Sequence, residues 1–235
     1  MKEFGKKHPI LMTVLVFMAG LVLALILAFP LTIIGMSGEL SLGISRIAAG
    51  LLLAILFRYC FAKHRLFASF PYVLAAFLFG VWNLVYHPLI GNPAASIGID
   101  AVILALAPAV FEEVIFRGIG VWFLKERGYS DPAVTGISGL LFGLAHLTNI
   151  AGMNLQSVLL QTGYAVVVGL VFAALYVKSD DFVSLVLAHF FIDFTNRLFL
   201  HEITVTPIPW VATFAVLMLA EAFFAVWIIR KDKNA

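Results

Sequence analysis

Charge is scarce in this chain: Asp, Glu, Lys and Arg make up 12% of 235 residues, whereas 63% are hydrophobic. Soluble domains carry about 25% charged residues, so a water-soluble globular fold is excluded. Mean hydropathy of +1.06 fits an integral membrane protein instead. Cysteine is almost missing. The single Cys60 excludes an intrachain disulfide and any cysteine-based zinc site. Its place in a predicted membrane helix suits inert packing. Internal repeats, low-complexity tracts and soluble insertions are also lacking, so residues 1–235 read as one membrane domain. The first apolar run, 9–35, is too long for a signal-peptide core and no small-residue cleavage pattern follows it promptly. It therefore reads as a retained helix.

Apolar runs near 20 residues mark spanning helices. Eight are predicted, over 9–35, 43–62, 70–91, 98–124, 131–150, 155–177, 182–200 and 207–229. The fold class is an all-α polytopic membrane bundle. Turn chemistry separates the runs at Ser37-Gly38-Glu39, His87-Pro88, Gly91-Asn92-Pro93, Gly128 to Pro132, Gly152-Met153-Asn154, and Pro207 with Pro209. Asp131 before Pro132 reads as a helix N-cap with proline in the first turn.

The basic residues are unevenly placed. Lys2, Lys6 and Lys7 precede the first run; Arg58, Lys63 and Arg65 follow the second; Lys125 and Arg127 follow the fourth. Lys178 follows the sixth, and Arg230, Lys231 and Lys233 the eighth. The alternate loops hold almost none, with Arg46 the main exception. The positive-inside rule puts both termini and these basic loops in the cytoplasm. Topology accounts for the basic loops without nucleic acid as a partner; the lipid bilayer is the partner implied. Trp82, Trp122, Trp210 and Trp227 are expected to mark interfaces.

Against this background, Glu112, Glu113 and Arg117 interrupt the fourth run. Each charge at bilayer depth costs about 2.5–3.5 kcal/mol on insertion scales, so a functional site facing protein or water is the default reading. Glu113 and Arg117 are four apart and can pair, whereas Glu112 points about 100° away from Glu113. The fifth run carries Phe142-Gly143-Leu144-Ala145-His146. The seventh carries His189 and Asp193 on one helix face, with Asn196 and Arg197 one turn on. At 1.5 Å per residue, Glu113 and His146 lie roughly 20 and 22 Å above the loop at 125–131. His189 and Asp193 lie about 12 and 18 Å above Asp181. Three helices can therefore bring these groups to one level.

Two glutamates, two histidines and an aspartate suit hydrolysis. A buried glutamate can act as general base on water. Histidine can orient that water, donate to an oxyanion or bind a metal. No serine or cysteine nucleophile is required. The two-histidine helix signature of soluble zinc proteases, His-Glu-x-x-His, is absent.

The runs Glu112-Glu113-Val114-Ile115-Phe116-Arg117, Phe142-x-x-x-His146 and His189-x-x-x-Asp193 resemble, in order, the three motifs of the CPBP family. That family comprises the type II CaaX prenyl proteases and the bacteriocin-processing, or Abi, proteins. The resemblance covers about residues 98–200, the motif-bearing catalytic core. It implies an intramembrane endopeptidase whose substrate is a membrane-associated or lipid-modified, CaaX-like peptide. By motif, Glu112 is the water-activating base, with Glu113 and Arg117 supporting it. His146 helps position the water, and His189 with Asp193 stabilises the oxyanion. Family members ending the third motif in Asn use that residue at the oxyanion site. An ionised Asp193 cannot donate a hydrogen bond, so it would orient His189 or contact a metal. The cofactor is a divalent metal, zinc by ligand type, or none; with a metal, Glu113, His146 and His189 are the expected ligands. The compact chain, with no targeting extension, points to a prokaryotic cell membrane.

Two other classes compete. Buried Glu, Asp and His also build proton relays and cation sites in transporters, although no inverted repeat or paired broken helices are evident. A catalytically silent scaffold or immunity protein is the other. A structural ion-pair network is the plain reading of Glu112, Glu113 and Arg117; an interhelical hydrogen bond that of His146; a self-neutralising pair that of His189 with Asp193. Asn149 reads as a helix-end cap, and Glu221 as a snorkelling or structurally paired residue near the cytoplasmic edge. Arg46, His87, Asp100, His201 and Glu202 fall near predicted helix ends and are assigned no chemistry.

Overall fold

Each predicted apolar run forms a helix in the computed structural model, which describes residues 1–62, 70–200 and 208–230. Lys63, Arg65, His201, Glu202, Pro207, Lys231 and Lys233, like the Trp210 side chain, lie outside the described residues. The described residues contain no β-strand, only an isolated bridge between Ala94 and Phe199. The helices are α1 (Lys2–Lys7), α2 (Pro9–Ile33), α3 (Gly38–Leu56), α4 (Phe70–Leu89), α5 (Ile99–Glu113) and α6 (Trp122–Glu126), then α7 (Asp131–Ala145), α8 (Leu155–Ser179), α9 (Phe182–Asn196) and α10 (Ile208–Arg230). By length and composition, Pro9–Ile33, Gly38–Leu56, Asp131–Ala151 and Leu155–Ser179 can each cross a membrane. Lipid-facing surface is abundant, as a bilayer requires: Leu25, Ile26, Phe29, Leu219 and Phe223 are all more than 60% exposed.

The predicted boundaries shift for local reasons. Ser37 caps α3 by accepting from the Leu40 N–H, so that helix starts earlier than expected and gives way at Arg58 to a short 3-10 turn. Pro88 does not break α4, which runs on to Leu89. Ser130, not Asp131, is the N-cap residue of α7; Asp131 lies in its first turn, 4.0 Å from Lys178 Nζ. Asn154 and Asp181 do cap α8 and α9, each accepting a backbone N–H from three residues on. Gly91 and Gly128 end their helices at φ of 87° and 90°, where a side chain would be strained.

The run expected as one α-helix over 98–124 is not uniform. Between α5 and α6, Val114–Val121 forms π-helical turns, fully buried throughout. Within these turns the Phe116 carbonyl accepts from Ser138 Oγ at 3.2 Å. Such widened turns occur often at functional sites. Across from it, α7 and α8 approach backbone to backbone. A Cβ on Gly139 would sit 2.8 Å from the Leu170 nitrogen, and one on Gly143 2.8 Å from the Val166 nitrogen. Small residues spaced by four permit this approach in membranes.

The two ends of the bundle differ. At one, Lys6 pairs with Glu126 at 2.8 Å, Lys125 Nζ donates to the Val177 carbonyl at 3.2 Å, and Phe61 packs on Phe182. This is the basic end. At the other, Ala95 and Leu200 tie the α4–α5 connection to the end of α9 through backbone bonds of 2.8 Å. The α9 helix stops at Asn196, short of the predicted 200, and α7 turns into a 3-10 helix at His146. Fifteen residues of α-helix reach only about 22 Å. These early endings leave a hollow at the end away from the basic loops.

Candidate active site

That hollow has a volume of about 520 Å³. Glu112, His146, His189 and Asp193 all line it. The two neighbouring glutamates are separated by helix geometry, as the 100° offset requires. Glu113 turns inward and is fully buried, whereas the Glu112 side chain keeps 18% exposure on the cavity.

Glu113 is held by two donors. Arg117 Nη1 donates to its Oε1 at 3.0 Å, and His189 Nδ1 donates to the same oxygen at 2.8 Å. Arg117 is itself fully buried, with its guanidinium 4.2 Å from the Phe142 ring centroid and 5.4 Å from that of Phe172. Its Nη2 reaches the Gly169 carbonyl at 3.4 Å. An ion pair, two aromatic faces and a carbonyl offset the burial of this cation. The predicted Glu113–Arg117 pair is thus present, in a setting the spacing alone did not disclose.

With Nδ1 committed to Glu113, His189 turns Nε2 toward the cavity carboxylates. Asp193 Oδ2 lies 3.6 Å from it and Glu112 Oε2 4.0 Å. His146 is fixed differently. Its Nδ1 donates to the Phe142 carbonyl at 2.9 Å, which leaves Nε2 as the acceptor of a neutral ring. The Phe142 ring stands between the two imidazoles, 5.0 Å from His146 and 5.8 Å from His189. Glu112 Oε2 is shielded and has no hydrogen-bond partner. All six predicted residues therefore assemble: Glu112, His146, His189 and Asp193 on the cavity, with Glu113 and Arg117 behind them.

Of the metal-ligand set Glu113, His146 and His189, Glu113 Oε1 and His189 Nδ1 bond each other, while Glu113 Oε2 is buried without a hydrogen-bond partner. Among the described residues no group of three or more His, Cys, Asp or Glu is arranged to hold a metal ion.

Several side chains at the site were read otherwise or missed in the sequence. Asn149 is not a cap: its Nδ2 donates to Gln161 Oε1 at 2.9 Å, and both residues line the cavity. Arg46 and Asp100, which their position near helix ends leaves without a role, line it as well, and so does Glu39 from the first turn of α3. His87 is buried at 4% exposure and bonds Asn196 and Asn92 at 2.9 and 3.1 Å, which anchors the end of α9. Glu221 is buried at 7% and neither snorkels nor forms an ion pair among the described residues. The available signal was composition: an Arg, an Asn and a Gln inside apolar runs.

Residues 94–195 match the family described as Type II CAAX prenyl endopeptidase Rce1-like. The matched stretch holds all six site residues and nearly coincides with the core expected over 98–200. No curated protein and no solved structure matches the chain.

Proposed function

We propose that this chain, whose residues 94–195 belong to the type II CAAX prenyl endopeptidase family, is an intramembrane endopeptidase that activates water with Glu112. The observation that carries this reading is Glu112 Oε2, shielded and unpartnered on a cavity shared with two histidines. In the proposed step Glu112 takes a proton from water as the water oxygen bonds to the scissile carbonyl carbon. The C–N bond then breaks, and Glu112 returns the proton to the leaving nitrogen. His146 Nε2 accepts from the water and orients it. His189, in its protonated form, donates from Nε2 to the oxyanion, and Asp193 holds that ring and its charge. Glu113 and Arg117 set the ring's position from behind. No step of this proposal is routed through a metal.

The substrate class is a membrane-associated or lipid-modified peptide. The cavity opens at the end opposite the basic loops, and the positive-inside rule makes that the non-cytoplasmic side. Cleavage in this reading takes place within the membrane layer, toward the non-cytoplasmic side.

Purified wild type and Glu112→Gln, assayed in detergent on a quenched fluorescent S-prenylated peptide, test this reading. Wild type is expected to cleave and Glu112→Gln to lose at least about a hundredfold in kcat/KM. Equal rates in the two proteins overturn the assignment of the base. A parallel assay with a chelator reports any metal requirement directly.

A further inference from the structure

Helix α3 carries an arginine that its own packing does not use. Arg46 lies in an otherwise apolar span and lines the cavity together with Glu112. Among the described residues no carboxylate lies within ion-pair distance of it. Its Nε is shielded from solvent and has no hydrogen-bond partner. Arg117 shares an unpartnered Nε but, unlike Arg46, is paired with the Glu113 carboxylate and packed on two rings. An unpaired cation at this depth is costly, and such residues mark binding sites when they face a cavity.

Packing fixes its level relative to the proposed base. A Cβ on Gly43 would meet Leu104 at 2.9 Å, and one on Gly50 would meet the Phe111 Cα at 3.1 Å. Helices α3 and α5 thus run parallel in constant register, with Arg46 level with Ala107. That is about five residues, roughly 7.5 Å, nearer the cavity mouth than Glu112. Extended peptide covers about 3.4 Å per residue, so the offset corresponds to about two residues.

We infer that Arg46 binds a carboxylate of the peptide substrate and so sets which bond reaches Glu112; this rests on the protease reading. A guanidinium presents a planar fork of donors that matches a carboxylate bidentately. Two sources of carboxylate fit, the C-terminal α-carboxylate and an acidic side chain near the cut.

Binding separates them. Three fluorescent S-prenylated peptides are titrated into Glu112→Gln protein: one with a free C-terminus, its C-terminal amide, and the amide with Asp in place of Asn near the end. Tighter binding of the free acid than the amide, by about tenfold or more, identifies the α-carboxylate. Tighter binding of the Asp amide than its Asn counterpart identifies a side chain. In either case Arg46→Gln in the same background removes the difference. Arg46→Lys keeps the charge without the fork and is expected to weaken the preference severalfold, which reads the same ratio should the glutamine variant not fold. Equal affinity for all peptides, no binding of any, a preference that survives Arg46→Gln, or its loss in Arg197→Gln instead, overturns the inference. Carboxylate-selective binding without cleavage by the Glu112 protein would sink the protease reading and leave Arg46 in place.

Discussion

Glu112 and Glu113 are chemically identical and adjacent, yet their surroundings give them different work. Each keeps one oxygen without a partner, but Glu112 lines the cavity, whereas Glu113 lies behind it with its other oxygen clamped by Arg117 and His189. The consequence is testable by stability as well as activity. Removing one member of a buried ion pair strands the other in a medium that cannot solvate it, at a cost of about 3–5 kcal/mol. Arg117→Ala is therefore expected to lower the thermal midpoint in detergent markedly, while Glu112→Gln leaves it unchanged. Tryptophan fluorescence melts distinguish these; equal midpoints for wild type and Arg117→Ala would remove the clamp from the account. Replacing both members with Leu and Met is expected to restore part of the stability, since no charge then remains unpaired, and to leave activity low because His189 loses its Nδ1 acceptor.

Among the elements, the α7–α8 crossing and the π-helical turns decide whether the groups meet. Gly139 and Gly143 let α7 lie directly on α8, and this contact carries His146 toward the cavity. Gly143→Leu would drive a side chain into the Val166 nitrogen and the Thr162 carbonyl, 2.8 and 3.0 Å from its first carbon. Overpacking of this kind costs about 1–3 kcal/mol. The expected result is a lower melting midpoint and lost cleavage; Gly136→Ala, which meets nothing within 4 Å, is expected to behave as wild type. A Gly143→Leu protein as stable and active as wild type would show that the two helices can separate without consequence. The periodic glycines were visible in the sequence. The π-helical turns were not, because the apolar pattern across Val114–Val121 is compatible with either helix.

For the whole molecule, the decisive property is polarity across the membrane. Most lysines and arginines among the described residues gather at one end, and the cavity, lined by Arg46 and Arg197, opens at the other. Exposed positions near each end test this: Ser96 beside the cavity mouth and Ser130 at the basic end. In a Cys60→Ala background, Ser96→Cys is expected to react with a membrane-impermeant maleimide added to intact cells, and Ser130→Cys only after the membrane is opened. The reverse pattern would place the mouth in the cytoplasm and change the compartment from which substrate arrives. The family match covers the part of the chain that carries Glu112, His146, His189 and Asp193, whereas α3, outside it, supplies Arg46. Recognition of substrate thus draws on a region that the three motifs do not reach.

Hydropathy by itself determined that this chain spans a membrane as an α-helical bundle, because apolar run length and backbone hydrogen bonding leave no other structure for such segments. Spacing along single helices also determined the Glu113–Arg117 and His189–Asp193 pairs, since residues four apart share a face. Tertiary structure alone decided the rest. It set which glutamate meets the cavity, directed Glu113 to His189, and drew Arg46 and Asn149 into the site. Those outcomes depend on helix rotation, on where α7 and α9 stop, and on contacts between segments far apart in the chain. The strength and direction of electrostatic interactions at bilayer depth depend on such contacts, and a linear pattern does not contain them.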